Sequence, residues 1–228
     1  MKDNKIIIVG GGSAGYLTAL ILKQKFQEKI NIKIIKSSAI GIIGVGEGST
    51  EHWSDFLSFV KIDKKLMVKE CGATYKFGIM FKEWHDKNYL HSVDKDFDIT
   101  LGQEHICFLN LILNNKKLNH KFLYENRLPQ DCPPNQFHFD THKLNIFLEK
   151  TCKQRNIKIV DDIIENVKVN SKGIDYITSK KEKYDADFFI DCTGFKRLLL
   201  SKLGAKWKSY KKYLKVNSAI TFQTEEEE

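Results

Sequence analysis

Proline is scarce in this 228-residue chain, three residues in all, and no Ser/Gly-rich linker or internal repeat interrupts it. Those absences exclude a polyproline spacer and a repeat array, and the length points to one large domain or one and a half small ones. Long apolar runs are missing too. Ile6-Ile7-Ile8-Val9 gives way to the glycine-rich residues 10–15, and charge returns at Lys23, so no stretch reaches the roughly 18–20 apolar residues of a membrane span. A strand at the very start leaves no room for a signal peptide, so a cytoplasmic setting is expected. Cys71, Cys107, Cys132, Cys152 and Cys192 are odd in number and form no C-x-x-C pair. That argues against a disulfide framework and a structural zinc site, and for reduced, mostly buried thiols. The formal charge is +8, but the lysines are scattered and form no basic stripe interleaved with aromatics. Nucleic-acid binding is therefore not expected; a mild attraction for anions is. The Glu225–Glu228 run reads as a solvated tail. With 42% apolar residues, a real core can form.

What is present begins with Gly10-Gly11-Gly12-Ser13-Ala14-Gly15, directly after the apolar run. Residues 5–9 read as a buried parallel strand and residues 30–35 as the next strand. Between them, residues 13–26 read as a helix with Leu17, Leu20, Ile21 and Leu22 on its apolar side. This strand–glycine turn–helix–strand order is the context in which G-x-G-x-x-G marks a dinucleotide site. Gly10, Gly12 and Gly15 fill the three glycine positions, and Ser13 and Ala14 open the helix whose free N–H groups face the pyrophosphate. After the second strand stands Ile35-Lys36-Ser37-Ser38, where an acid commonly binds the adenosine ribose. Taken alone, Lys36 with its serines would favour a 2′-phosphate, hence NADPH.

A second glycine-rich stretch, Gly44-Val45-Gly46-Glu47-Gly48-Ser49-Thr50, lies in a loop over residues 39–48. Helices are expected at residues 51–60 and 64–71. Residues 74–84 read as one strand, with Tyr75, Phe77, Ile79 and Phe81 on one face and Lys76, Gly78, Met80 and Lys82 on the other. Residues 85–135 are irregular and suggest an inserted substrate-side region. Residues 141–154 read as a helix burying Leu144, Phe147 and Leu148. A strand at residues 158–160 follows, then a hairpin of residues 163–170 and 174–179 turned at Ser171-Lys172-Gly173. Residues 184–191 read as a returning core strand, ending in Asp191-Cys192-Thr193-Gly194-Phe195 before a short helix. His138 and His142 are four apart and could share a helix face, but they lack the Glu of H-E-x-x-H. Trp53, Tyr75 and Trp84 read as core or wall residues.

Taken together, the residue 10–15 loop, Gly44-Val45-Gly46-Glu47, the Lys76 strand, His138-Phe139-Asp140-x-His142 and Asp191-Cys192-Thr193-Gly194-Phe195 resemble the flavin-dependent halogenases, often called tryptophan halogenases. The resemblance runs in order through nearly the whole chain and corresponds to the N-terminal half of a member. It implies an α/β, FAD-binding Rossmann-like fold of the flavin-monooxygenase type, truncated at the C-terminus. Residues 1–84 would form the FAD-binding core, 85–140 the substrate-side insertion, and 141–228 the rest of the FAD domain. It implies that Gly10, Gly12, Ser13, Ala14, Gly15, Lys36, Gly44, Val45, Gly46, Glu47, Asp191 and Gly194 contact FAD. A separate flavin reductase would supply reduced FAD, with O2 and halide as co-substrates. Hypohalous acid would then be relayed by Lys76 to an aromatic, indole-like substrate. The residues depart from the family pattern at Gly48-Ser49-Thr50-Glu51, where Ala-Thr-x-Pro is usual, and W-x-W-x-I-P is absent. Two other readings stay open: a non-halogenating FAD monooxygenase or reductase in which Lys76 is incidental, and a nucleotide-binding fragment without turnover.

Overall fold

The computed structural model describes residues 4–44, 46–50, 52–76, 78–81, 83, 89–92, 136–218 and 220. The chain divides into two compact units, Met1–Val45 with Leu148–Glu228, and Gly46–Phe147.

The first unit is built on a four-stranded parallel sheet. Strands β1 (Asn4–Val9) and β2 (Ile30–Lys36) are joined by helix α1 (Ser13–Phe26). β12 (Phe188–Asp191) pairs with β1 on its other side, and β8 (Lys158–Asp161) with β2, giving the order β12-β1-β2-β8. The run Ile6-Ile7-Ile8-Val9 is apolar at every position because both faces of a parallel sheet are covered. Ile7, Val9 and Ile35 pack with Ile164, Ile177, Tyr184 and Leu199 on one face. Ile8 and Ile34, both fully buried, alternate to the other. α1 buries Gly15, Tyr16, Ala19 and Leu20, so its covered stripe includes Leu20 but not Ile21, which is 42% exposed. Small residues at positions 15 and 19 let the helix approach closely, which moves the buried stripe away from the larger side chains.

A three-stranded antiparallel meander completes this unit: β9 (Asn166–Asn170), β10 (Gly173–Thr178) and β11 (Lys183–Tyr184). The turn glycine Gly173 has a φ of 126°, a region nearly closed to other residues. The returning strand expected at residues 184–191 is two strands. β11 belongs to the meander, and β12 to the parallel sheet. Asp187 marks the transfer: its N–H donates to the Lys5 carbonyl and its carboxylate accepts from the Lys5 N–H. Tyr184 is buried, and its hydroxyl donates to the equally buried Asp162 at 2.6 Å. Tyr184→Phe would leave that carboxylate short of a partner in a dry site. We expect a loss of about 2 kcal/mol, read as a lower urea midpoint at unchanged m-value.

The second unit holds helices α2 (His52–Phe59) and α3 (Lys64–Cys71). α3 starts where Asp63 accepts the Leu66 N–H at 2.9 Å, and stops at Gly72, whose φ of 58° is left-handed. A small antiparallel sheet has the order β3-β7-β4, from Glu47–Gly48, Phe137–Phe139 and Thr74–Tyr75. Strands β5 (Gly78–Phe81) and β6 (Tyr89–Ser92) form a separate pair. The single strand expected at residues 74–84 is thus divided. β4 follows β7 until the Lys76 N–H bonds the Gln136 carbonyl, and Gly78–Phe81 pair with β6 instead. Phe77, Lys82, Trp84 and most of the expected insertion lie outside the described residues, as does the acidic tail. Helix α4 (Thr141–Gln154) begins where Asp140 accepts the N–H groups of His142 and Lys143. It buries Leu144, Phe147, Leu148 and Cys152, as its periodicity requires. No described helix is long and apolar enough to cross a membrane.

Candidate functional site

The chain runs from β1 through α1 to β2 on one side, while β12 lies on the other side of β1. The carboxyl ends of β1 and β12 therefore flank a topological switch point, where open α/β sheets leave a crevice for ligands. The two turns there are joined directly: the Cys192 N–H donates to the Val9 carbonyl at 2.8 Å. Each motif glycine has its own reason. Gly10 has a φ of 123°, and a Cβ on it would lie 2.1 Å from the Cys192 carbonyl oxygen. A Cβ on Gly15 would lie 2.0 Å from the Gly10 carbonyl oxygen. Gly11, a free position in the motif, would meet the Lys36 Cβ at 2.3 Å. Gly12 differs: a Cβ there meets nothing within 4 Å among the described residues.

Gly12 also caps α1, with no side-chain cap and no acid in the first turn. The first N–H groups of the helix, at Ser13 and Ala14, thus gain no side-chain cap from Gly12, and no first-turn carboxylate opposes the positive helix end. An open backbone position beside an uncapped helix N-terminus suits a pyrophosphate. The residues present fit a dinucleotide.

Asp191 holds the neighbouring turn. One carboxylate oxygen accepts from the Thr193 N–H and hydroxyl, the other from the N–H groups of Leu199 and Leu200. Burial alone would raise its pKa. The hydrogen bonds, led by the Thr193 hydroxyl, outweigh burial and hold the carboxyl below its ordinary value. Such a group stabilises the fold above its unfolded pKa, and the contribution is lost as pH falls through the depressed folded value. Asp191→Asn should therefore flatten the decline in stability below about pH 4, measured by urea unfolding across an acid series. Gly194 follows in a left-handed conformation with a φ of 60°.

Past β2, the structure pairs groups that the sequence leaves apart. The Lys36 ammonium donates to Glu149 at 2.7 Å, the Tyr16 hydroxyl to the same oxygen at 2.8 Å, and Lys153 pairs with the other at 2.6 Å. Burial would raise the Glu149 carboxyl, but these three donors bring it down to about 2. Burial, reinforced by Glu149, pushes the Tyr16 phenol up. Ser38 gives its N–H and its hydroxyl to the two oxygens of Asp161. The Ser37 hydroxyl oxygen, between them in sequence, is buried without a hydrogen-bond partner among the described residues.

The second unit carries a separate cluster. Lys76 is half-buried, and its ammonium donates to the Ser49 carbonyl at 3.2 Å. No carboxylate among the described residues is ion-paired with it. In an antiparallel ladder, residues directly opposed share a face. Thr74 opposes His138, Tyr75 opposes Phe137, and the next rung sets Lys76 against Gln136. Gly48 opposes His138 from the other edge. A Cβ on Gly48 would be 3.4 Å from the Lys76 ammonium and 3.5 Å from His138 Nδ1. Desolvation first, and the Lys76 charge second, hold the His138 imidazole below its ordinary pKa. Gln136 is 2% exposed, yet neither atom of its carboxamide is hydrogen-bonded among the described residues. The opposite face is aromatic, with Phe137 against Tyr75 and Phe139 against Trp53.

Of the other expected residues, Gly46 has a φ of 79° and donates its N–H to the buried Thr141 hydroxyl. Glu47 is exposed on β3, Gly44 is half-buried, and Val45 lies outside the described residues. His138 and His142 do not share a helix face: one stands on β7, the other in the first turn of α4. Among the described residues, no three His, Cys, Asp or Glu side chains converge as a metal-binding group. Sequence reasoning missed Glu149, Tyr16 and Gln136. The only signal was the β2 lysine in an acid's usual place, which calls for an acidic partner; nothing singled out the other two.

The family profile "Tryptophan halogenase" matches residues 5–228. Tryptophan 6-halogenase SttH of Streptomyces toxytricini is 29% identical, the match covering 97% of this chain and 50% of that protein. The 7-chloro-L-tryptophan 6-halogenase KtzR of a Kutzneria strain is 28% identical, over 96% of this chain and 50% of its own. The crystal structure of SttH superimposes with a TM-score of 0.75 at 27% identity, covering 94% of this chain and 49% of that one. The chain spans about half the length of the curated relatives it matches.

Proposed function

The chain belongs to the tryptophan halogenase family, and from that premise we propose that it forms the FAD-binding and lysine-bearing half of a flavin-dependent halogenase acting on an aromatic, indole-like substrate. The observation that carries the reading is Lys76, a half-buried ammonium held by a backbone carbonyl beside a desolvated imidazole.

Bound reduced FAD, supplied by a separate flavin reductase, would activate O2 to supply the two-electron oxidant that converts halide into an electrophilic halogen. The chain's own residues do the rest. Gly12 and the N-terminus of α1 receive the pyrophosphate, Gly10 and Gly15 hold that loop closed, and Asp191 and Gly194 shape the adjoining turn. Lys36 works at the ribose end through Glu149. Gly44, Val45, Gly46 and Glu47 contact FAD in this reading, Glu47 from the start of β3. Lys76 donates hydrogen bonds to hypohalous acid, or, once deprotonated, its amine takes the halogen from the O–halogen bond as a haloamine with release of water, and presents it to the ring. The free, buried thiols of Cys71 and Cys152, both pushed up to about 12 by burial, suit a reducing compartment, and the reading places the reaction in the cytoplasm.

The test uses the protein at the full length of its reading frame, with FAD, a flavin reductase, NADH, O2, bromide or chloride, and tryptophan or indole. A product carrying the added halide, seen by mass spectrometry and absent without halide, is the expected result. Flavin binding and oxygen consumption without halide-dependent product across an indole panel would leave a non-halogenating flavoprotein.

A further inference from the structure

Haloamine formation sets a demand that Lys76 does not meet alone. An ammonium nitrogen has no lone pair, so the amine must give up a proton before it takes a halogen. We infer that His138 receives this proton, and that it returns the proton when the halogen leaves for the ring. This role rests on the halogenase reading above and adds to it the residue that sets the charge state of Lys76.

Strand register brings the two side chains together. Thr74 on β4 and Gly48 on β3 oppose His138 from either edge of β7. Lys76 stands two residues beyond Thr74, opposite Gln136. It is therefore a diagonal neighbour of His138 on the same face, a spacing that a long side chain spans. Gly48 supplies the space between them. A Cβ there would lie 3.4 Å from the Lys76 ammonium and 3.5 Å from His138 Nδ1, so both polar atoms border the notch that the missing side chain leaves. A proton crosses it directly or through one water. Alanine is usual at this position in the family pattern, and its methyl would stand in the notch.

Both groups are free to use it. Lys76 has one hydrogen-bond partner among the described residues, the Ser49 carbonyl at 3.2 Å, which leaves two of its N–H bonds uncommitted. Neither ring nitrogen of His138 is hydrogen-bonded among the described residues. Desolvation first and the Lys76 charge second hold the imidazole below its ordinary pKa, so at neutral pH it is neutral and offers a lone pair. Among the described residues Lys76 is the charged group that faces it. Glu47 opposes Phe139 and so lies on the other face, and Asp140 is engaged by the N–H groups of His142 and Lys143. His138 is also exposed, so its proton exchanges with solvent.

The protons balance. As the Lys76 nitrogen bonds the halogen, the O–halogen bond breaks and its electron pair leaves on oxygen. One ammonium proton goes to His138 and a second to that oxygen, which departs as water. A neutral haloamine and an imidazolium remain. When the ring takes the halogen, the proton lost by the ring and the proton held by His138 both return to nitrogen, and Lys76 is an ammonium again. No oxidant beyond hypohalous acid is needed.

The test uses the protein at the full length of its reading frame in the assay above, with halogenated product and flavin oxidation followed together from about pH 6 to about pH 9. In the parent, product formation should be level at the alkaline end and fall as pH drops through the His138 value. His138→Gln keeps a neutral hydrogen-bonding side chain but takes up no proton. It should be about a hundredfold slower near neutral pH. Its rate should climb about tenfold per pH unit, as the amine loses its proton unaided. Flavin oxidation should match the parent throughout. In His138→Ala, added imidazole should raise the rate along imidazole's own titration, a response that a packing role does not give. A parent-like rate and profile in His138→Gln would overturn the inference, as would a slower rate whose profile runs parallel to the parent's. If the parent makes no halogenated product, the halogenase reading falls and this inference with it.

Discussion

Gly15→Ala should leave little folded protein, whereas Gly12→Ala should fold nearly as well as the parent chain and lose FAD. The two glycines stand three apart in one motif and differ in what surrounds them. A Cβ at position 15 lies 2.0 Å from the Gly10 carbonyl oxygen, and one at position 10 lies 2.1 Å from the Cys192 carbonyl oxygen at a φ of 123°. In each case the obstacle is backbone, so no rotamer change relieves it. The β1 turn, the α1 start and the β12 turn would have to separate. A cost of about 3–5 kcal/mol is expected, against a total stability of about 5–15 kcal/mol for an ordinary domain. Gly12 has an extended backbone, with φ −84° and ψ −179°, and open space where a Cβ would go. Alanine there should cost no more than about 1 kcal/mol.

The same methyl would stand where the pyrophosphate meets the backbone, and FAD affinity should fall by about a hundredfold. Thermal melts and titrations of flavin fluorescence separate the two effects. Unchanged FAD affinity in a folded Gly12→Ala chain would remove the cradle from the nucleotide site.

Lys76→Met should abolish halogenated product, with a rate loss of about a thousandfold or more, while FAD binding and stability stay close to the parent values. The small structural cost follows from the geometry: Lys76 is half-buried and gives up one bond of 3.2 Å to a carbonyl. Gly12 and α1 belong to the other unit and keep their own contacts. Lys76→Arg distinguishes the two roles open to the amine. Arginine keeps the charge and the donors, but its guanidinium does not act as a nucleophile. Activity retained in Lys76→Arg means that donating hydrogen bonds suffices; activity lost in both variants points to a haloamine. Full activity in Lys76→Met would make the lysine incidental and return the chain to the non-halogenating readings. The readout is halogenated product against time under saturating FAD, with flavin oxidation followed in parallel to show that the first half-reaction survives.

Much of the first unit can be read directly from residue order. β1, the glycine turn, α1 and β2 follow from an apolar run, three glycines at fixed spacing and a helical segment. α3 was legible because the Asp63 cap and Gly72 stop lie in its own sequence. α4 was legible because Leu144, Phe147 and Leu148 fall on one helical stripe. Two strands were read as continuous where the chain changes partner, at residues 76–78 and 185–187. Alternation of side chains continues through such a transfer and carries no mark of it.

By itself, then, the sequence determined the parallel α/β core, the positions of the glycine loop and helix starts, and the lysine whose surroundings resemble a halogenase. These depend on backbone angles and burial periodicity within a few residues, which local composition encodes. Only the tertiary structure decided the partners. Lys36 meets Glu149 across 113 residues of chain, a partner that nothing in its own segment announces. Gln136 shares a face with Lys76 because strand register puts them on opposing rungs. Pairings of that kind depend on which strands lie side by side and in what register, and those are settled by the packing of the whole sheet rather than by any short stretch within it.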